Sequence, residues 1–216
     1  MIPGIDVSHF QGVIDWKKVK AAGIRFAYIK ATQGASFTDP RSVSNCLGAC
    51  EAGIPFGLYH VFLANTGQAQ LNNWENALAM LKPDLPSWLD IEPGALTEET
   101  APQALEMIRT SFTPRDCVYC SPSTADAVLT DPGWDMFGLS IAHYGVPEPR
   151  IGGAWAKQHS EWEFWQHSSV GTVDGISGPV DLDWFNGDAQ SLQSLIQSAN
   201  AGKSQVTSNI EGSTKS

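Results

Sequence analysis

Basic side chains are scarce in this chain: 13 Lys and Arg stand against 23 Asp and Glu, a formal net charge of −10. A surface that grips phosphates needs clustered cations, so no nucleic-acid partner is expected. Docking on an anionic bilayer is disfavoured for the same reason. No apolar run approaches the ~20 residues needed to cross a bilayer, so no membrane insertion is expected. The opening "MIPGIDVSHF" has no basic stretch followed by an apolar one, so a secretory leader is not expected either. Internal repeats and low-complexity blocks are missing. So are the GxGxxG and GxxxxGK[ST] loops that cradle nucleotide phosphates, and the HExxH zinc pattern. The expectation is an enzyme or binding protein with no cofactor and no metal.

Cysteine is sparse too, with Cys46, Cys50, Cys117 and Cys120. Their CxxxC and CxxC spacings admit a four-thiolate zinc site. However, Cys46 and Cys50 fall one turn apart on a predicted helix, and Cys117 and Cys120 point to opposite faces of a predicted strand. Four ordinary buried thiols are the simpler reading.

What the chain does have is an alternation of strands and helices. Strands are predicted at 4–9, 26–31, 56–62, 87–92 and 116–121, with helices at 15–23, 39–52, 67–81 and 100–112 between and around them. Three more strands are predicted at 139–145, 163–168 and 180–185, with no long helix separating them. A last helix covers about 188–200. Crossovers imply parallel strands. The fold class is therefore α/β: an irregular TIM-like barrel of five βα units followed by three strands with few helices. An open doubly wound sheet is the alternative. One domain is expected over 1–200, with a polar, disordered tail over 201–216.

Acids sit where such a barrel builds its site. In "SWLDIEP" (87–93), Trp88, Asp90 and Glu92 share one strand face, and Pro93 ends the strand, leaving both acids at its C-terminal end. Asp6 lies on the first strand, and Asp181 and Asp183 share a face of the last. Closure of the sheet brings these carboxylates to one rim. Lys30 is the obvious nearby cation, and one cation cannot neutralise four anions. Two chemistries suit the cluster: an all-oxygen divalent metal site, or glycoside hydrolysis by paired carboxyls. Tyr59, Tyr119, Tyr144 and Trp165 near strand ends, among eight tryptophans in all, favour a sugar. The i,i+2 spacing of Asp90 and Glu92 leaves retaining and inverting geometries both open.

The ordered blocks "GIDVSHFQGVIDWKKVKAAGIRFAYIKATQG", "AGIPFGLYHVF", "LPSWLDIEP" and "FWQHSSVGTVDGISGPVDLDWFNG" resemble the glycoside hydrolase family 25 lysozymes, from residue 4 to about 187. The resemblance implies a flattened barrel. It also implies N-acetylmuramidase activity on bacterial peptidoglycan, cutting the β-1,4 bond between N-acetylmuramic acid and N-acetylglucosamine. Carried over by motif, Glu92 is the proton donor, Asp90 its partner, and Asp6 and Asp181 the other rim acids. Asp183 stands where the family commonly has Asn, and Gln33 where "KATEG" is commoner. Lys30, Tyr59, Tyr119, Tyr144, Trp165, Gln166 and Asp183 are the expected substrate-binding residues. His60 and His167 are expected to be structural or to bond within the groove. The rival readings are a silent glycan-binding module on the same barrel and a metal-dependent wall hydrolase. A monomer is expected, reaching the wall through a holin or a dedicated export machine, or as a mature secreted chain.

Overall fold

The computed structural model describes residues 1–64 and 67–198. Nine strands form one sheet: β1 (Ile2–Val7), β2 (Phe26–Gln33), β3 (Phe37–Thr38), β4 (Phe56–Val61), β5 (Trp88–Asp90), β6 (Cys117–Cys120), β7 (Gly138–Ala142), β8 (Phe164–Gly171) and β9 (Val180–Phe185). The helices are α1 (Trp16–Ala21), α2 (Ser42–Glu51), α3 (Gln68–Leu81), α4 (Ala101–Ile108), α5 (Pro122–Val128) and α6 (Gly153–Gln158), with a seventh over 189–198. The expected tail over 201–216 lies outside the described residues. Among the described residues no helix is long and apolar enough to cross a membrane.

The sheet closes. β1 pairs with β2 on one side and β9 on the other. Eight strands make the barrel, and the two-residue β3 flanks β2. Parallel pairing runs from β1 through β2, β4, β5, β6 and β7 to β8. Of the eight barrel strands described, only β9 runs the other way, antiparallel to both β8 and β1, and the flanking β3 is antiparallel to β2. The parallel part is thus longer than the sequence pattern suggests. Helices α5 and α6, of 7 and 6 residues, carry the last two crossovers. They are too short to show a 3.6-residue periodicity, but Ser121 caps α5 by accepting from Thr124 N at 3.1 Å.

Two apolar layers follow from the period-two alternation of the strands. Outward-facing Ile5, Ile29, Leu58, Leu89, Val118, Leu139 and Ile141 pack under the helices with Trp16, Trp74, Trp134 and Trp155. With Trp88 and Trp165, six of the eight tryptophans are therefore buried. Inward-facing Phe26, Tyr28, Trp88, Phe164 and Phe185 plug the barrel. Tyr28 and Trp88 stack with centroids 3.5 Å apart, and Phe164 meets both edge-on. Room for these rings comes from two inward glycines. A Cβ on Gly4 would lie 2.2 Å from the Phe26 ring, and one on Gly57 would lie 2.3 Å from the Tyr28 ring.

Cys117 belongs to the inner layer and Cys120 to the outer one, on opposite faces as expected. Cys46 is also buried, but Cys50 is exposed on α2, which corrects the reading of four buried thiols. Among the described residues, no group of three or more His, Cys, Asp or Glu is arranged to hold a metal ion.

Candidate active site

The aromatic plug supports an open polar cavity of about 290 Å³ at the C-terminal ends of the parallel strands. Its floor includes Trp88 and its walls Asp6, Asp90, Asp181, Lys30 and Tyr59. The β5 strand stops at Asp90, its last residue, so the predicted run to 92 is two residues too long. Asp90 is 7% exposed, whereas Glu92 lies just past the strand and is exposed. A second cavity of about 550 Å³, lined by Pro93, Ser121, His143 and Arg150, adjoins the first. Glu92, Tyr119 and Tyr144 border both. Glu92 therefore stands at the seam of a two-part groove.

β9 delivers the acids of the closing segment. Because it is antiparallel, its first residues lie at the same rim as the last residues of β1. Asp181 is the register partner of Asp6, and Asp183 that of Gly4. Asp181 lines the cavity, while Asp183 is buried one layer below, 1% exposed. Among the described residues, neither Asp183 oxygen has a nitrogen or hydroxyl donor. Its neighbour is the Asp6 carboxyl, and a proton held between the two makes that contact favourable. Burial, then Asp183 and Asp181, pushes Asp6 well above the usual carboxylate range, against the pull of Gln166. Burial raises Asp183 and Asp181 as well.

Gln166, from β8, is the hub of this side. Its Nε2 donates to Asp6 Oδ2 at 2.6 Å, and its Oε1 accepts from Tyr119 Oη at 2.8 Å and from Tyr144 Oη. Every polar atom of the amide is thus used inside the protein. On the opposite wall Lys30 Nζ donates to Gln33 Oε1 at 2.8 Å. Gln33 is neutral, so it leaves the ammonium charge free to act on Asp90. Burial first, then the charge of Glu92, pushes Asp90 up, while Lys30 pulls it down. Among the described residues, the buried Asp90 Oδ1 has no hydrogen-bond partner. The phenols of Tyr59 and Tyr119 are held protonated by burial and then by Asp6 and Asp90.

The structure brings Asp6, Asp90, Glu92, Asp181, Lys30, Tyr59, Tyr119, Tyr144 and Gln166 to one cavity. It sets Asp183 beneath it and Trp165 outside it. Trp165 is 5% exposed and packs in the outer layer, with its indole N–H donating to His143 O at 2.8 Å. The reason is alternation: Phe164 and Gln166 face in, so Trp165 must face out. His60 is fully buried and structural, bonded to Thr32 Oγ1 at 2.7 Å and Gln70 Oε1 at 3.3 Å. His167 stacks on Trp184 at 5.2 Å, away from the acids. The sequence reading missed Phe10, Gln11 and Ser169 on the cavity wall. Phe10 and Gln11 follow β1 by a few residues, and any loop after a parallel strand reaches this rim.

Comparison with known proteins gives the same direction. The sequence profile of glycosyl hydrolases family 25 matches residues 5–176. Lysozyme M1 of Streptomyces globisporus is 35% identical over 212 residues, covering 90% of this chain and 71% of its own. A bacterial lysozyme from Streptomyces coelicolor superposes with a TM-score of 0.74 at 32% identity, covering 93% of this chain and 97% of that one. A muramidase from Acremonium alcalophilum does so with a TM-score of 0.75 at 26% identity, covering 91% and 99%. With a matching profile over most of its length and a relative above 30% identity, the chain belongs to glycosyl hydrolases family 25.

Proposed function

We propose that this chain is a lysozyme that hydrolyses the β-1,4 bond between N-acetylmuramic acid and N-acetylglucosamine in peptidoglycan, with Glu92 as proton donor. The observation that carries this reading is the position of Glu92 at the junction of the two cavities. A glycan strand laid along the groove has a sugar on each side of that carboxyl, so its scissile oxygen passes within reach.

Asp90 takes the partner role. Its buried Oδ1 has no donor among the described residues, and buried acceptors are rarely left so. The 2-acetamido N–H of the sugar is a donor of the right kind. Accepting it turns the acetamido oxygen toward the anomeric carbon. That oxygen bonds to C1 as the C1–O bond breaks, Glu92 gives its proton to the leaving oxygen, and the acetamido group carries the positive charge as an oxazolinium ring. Water then opens the ring at C1, with the Glu92 carboxylate taking the water's proton. Asp6 and Asp181 border the same cavity and hold the sugar's position, Gln166 fixes Asp6, Tyr119 and Tyr144 in place, and Tyr59, Tyr119 and Tyr144 offer neutral hydroxyls to its polar groups.

Mass spectrometry of digested peptidoglycan tests the reading. New reducing ends carrying N-acetylmuramic acid are expected, undiminished by EDTA. Reducing-end N-acetylglucosamine, or loss of activity on chelation, would defeat it.

A further inference from the structure

The turn after β1 displays apolar side chains at the lip of the groove. Phe10 is 80% exposed and borders the first cavity but not the second. The His9 ring lies 4.2 Å from the Phe10 ring and 5.9 Å from the Phe37 ring, centroid to centroid. Phe37, 40% exposed, sits 5.7 Å from Lys30 Nζ. The three rings thus form a cluster, tilted by 34° and 54° to one another, beside the Phe10 and Lys30 side of the cavity.

This cluster is held rigidly. Phe10 N donates to Ser8 Oγ at 3.2 Å, and Ser8 N donates to Gln11 Oε1 at 2.9 Å. Gln11 Nε2 donates to Pro179 O at 3.3 Å. His9 donates through its backbone N at 3.0 Å and its Nδ1 at 2.7 Å to Asp39 Oδ2, and the Asp39 side chain is 0% exposed. Arg41 N donates to the other Asp39 oxygen at 2.9 Å. A fully buried carboxylate is therefore spent on fixing an exposed loop. The Asp39 carboxyl thus ties this loop to the entry of α2, whose N-cap is Arg41.

We propose that Phe10, His9 and Phe37 form a stacking ledge for a further sugar ring of the glycan strand, extending the groove away from Glu92 on the side of the first cavity. The proposal rests on the lysozyme reading and adds to it where a longer strand gains its affinity. A pyranose presents a flat face of C–H groups that fits an aromatic face, and hydroxyls at its edge. The ledge offers both, with His9 Nε2 as its polar edge once Nδ1 is committed to Asp39. Continuity with the catalytic cavity is what selects the glycan as occupant.

Binding is measured on the Glu92→Gln background, so that no turnover is needed, using glycan strands stripped of their stem peptides. Phe10→Ala is expected to weaken binding about tenfold, Phe10→Trp to retain it, and Phe10→Ala with Phe37→Ala to weaken it further, each ring stack being worth roughly a factor of ten or less. In the active enzyme Phe10→Ala should raise KM and leave kcat within about twofold. An unchanged affinity for stripped strands in a Phe10→Ala protein of normal Tm overturns the proposal. So does a loss seen only on wall that keeps its stem peptides, which would assign the ledge to peptide. If the wild type releases no reducing-end muramic acid while the ledge variants still weaken strand binding, the lysozyme reading fails and the ledge stands.

Discussion

Gln166 Nε2 donates to Asp6 Oδ2 across 2.6 Å, while its Oε1 accepts from Tyr119 and Tyr144. The bond to Asp6 counters the burial and like charge that push Asp6 up. Replacing Gln166 with Glu keeps the shape and puts one more carboxyl against Asp6, beside Asp181 and Asp183, a contact that needs a proton. Gln166→Glu is expected to move the pH optimum of wall lysis toward acid and to lower neutral activity by roughly 10- to 100-fold, the order expected when catalytic groups are misplaced. Gln166→Met should lower activity without that acid shift. A pH–rate profile of each checks the difference.

Glu92 and Asp90 should separate in stability though both fail in catalysis. Glu92→Gln is expected to cost about 10²–10⁴ in kcat. Because Glu92 is exposed, its Tm should move little, as for most surface substitutions (about ±0.5 kcal/mol). Asp90→Asn loses the charge that strengthens the bond from the acetamido N–H and balances the developing positive charge, and should show a comparable fall in kcat. It also removes a buried carboxyl that burial and Glu92 disfavour as an anion, so at neutral pH its Tm should hold or rise. Turbidity assays and thermal melts of the same preparations decide this.

The pile of acids under β1 and β9 should make the protein less stable as pH rises. Asp6, Asp181 and Asp183 are all raised in the fold, so folding takes up protons. Their contribution is complete below the ordinary carboxylate value of about 4 and is lost as pH climbs through the raised values. Asp183→Asn should flatten that decline and stabilise the protein at pH 7 on the order of 1 kcal/mol, since the amide can donate to Asp6 without needing a proton. Urea melts from pH 4 upward give the slope.

His60 pulls in the opposite direction. Burial, the largest cause, lowers its pKa from 6.5 to about 4, and the Lys30 charge adds to this. The folded chain therefore holds it neutral. Its contribution is present above pH 6.5 and is lost as pH falls to about 4, on the order of 3 kcal/mol in all. His60→Gln should remove this acid sensitivity. It should also lower stability at neutral pH, because Thr32 and Gln70 lose their shared partner. The two variants together, Asp183→Asn and His60→Gln, resolve the pH dependence into its rising and falling parts.

Much of the barrel could be read from the chain because α2, α3 and the strands β1, β2, β4 and β9 have clear periods and turn residues at their ends. Helices α5 and α6 could not, since six or seven residues make too little of a stripe. The inward acids were legible from alternation alone: Asp6, Asp90 and Asp181 border the cavity and Asp183 lies on the same face below it. The same rule applied to "FWQHS" would have turned Trp165 outward, and its error came from counting aromatics near strand ends without asking which face they used. Gln166 gave no sign of its three partners, because these come from β1, β6 and the segment after β7.

The sequence by itself determined which side chains point into the barrel, since a strand's pleat allows only two faces and each residue's parity selects one. It also determined that acids would be in excess there. Only the tertiary structure decided their depths and company. Closure between β1 and β9, with β9 reversed, sets Asp181 at the rim and Asp183 beneath Asp6. The early end of β5 buries Asp90 and leaves Glu92 in the groove. Those differences come from register and strand length, which depend on pairing between segments far apart in the chain, and no local pattern encodes them.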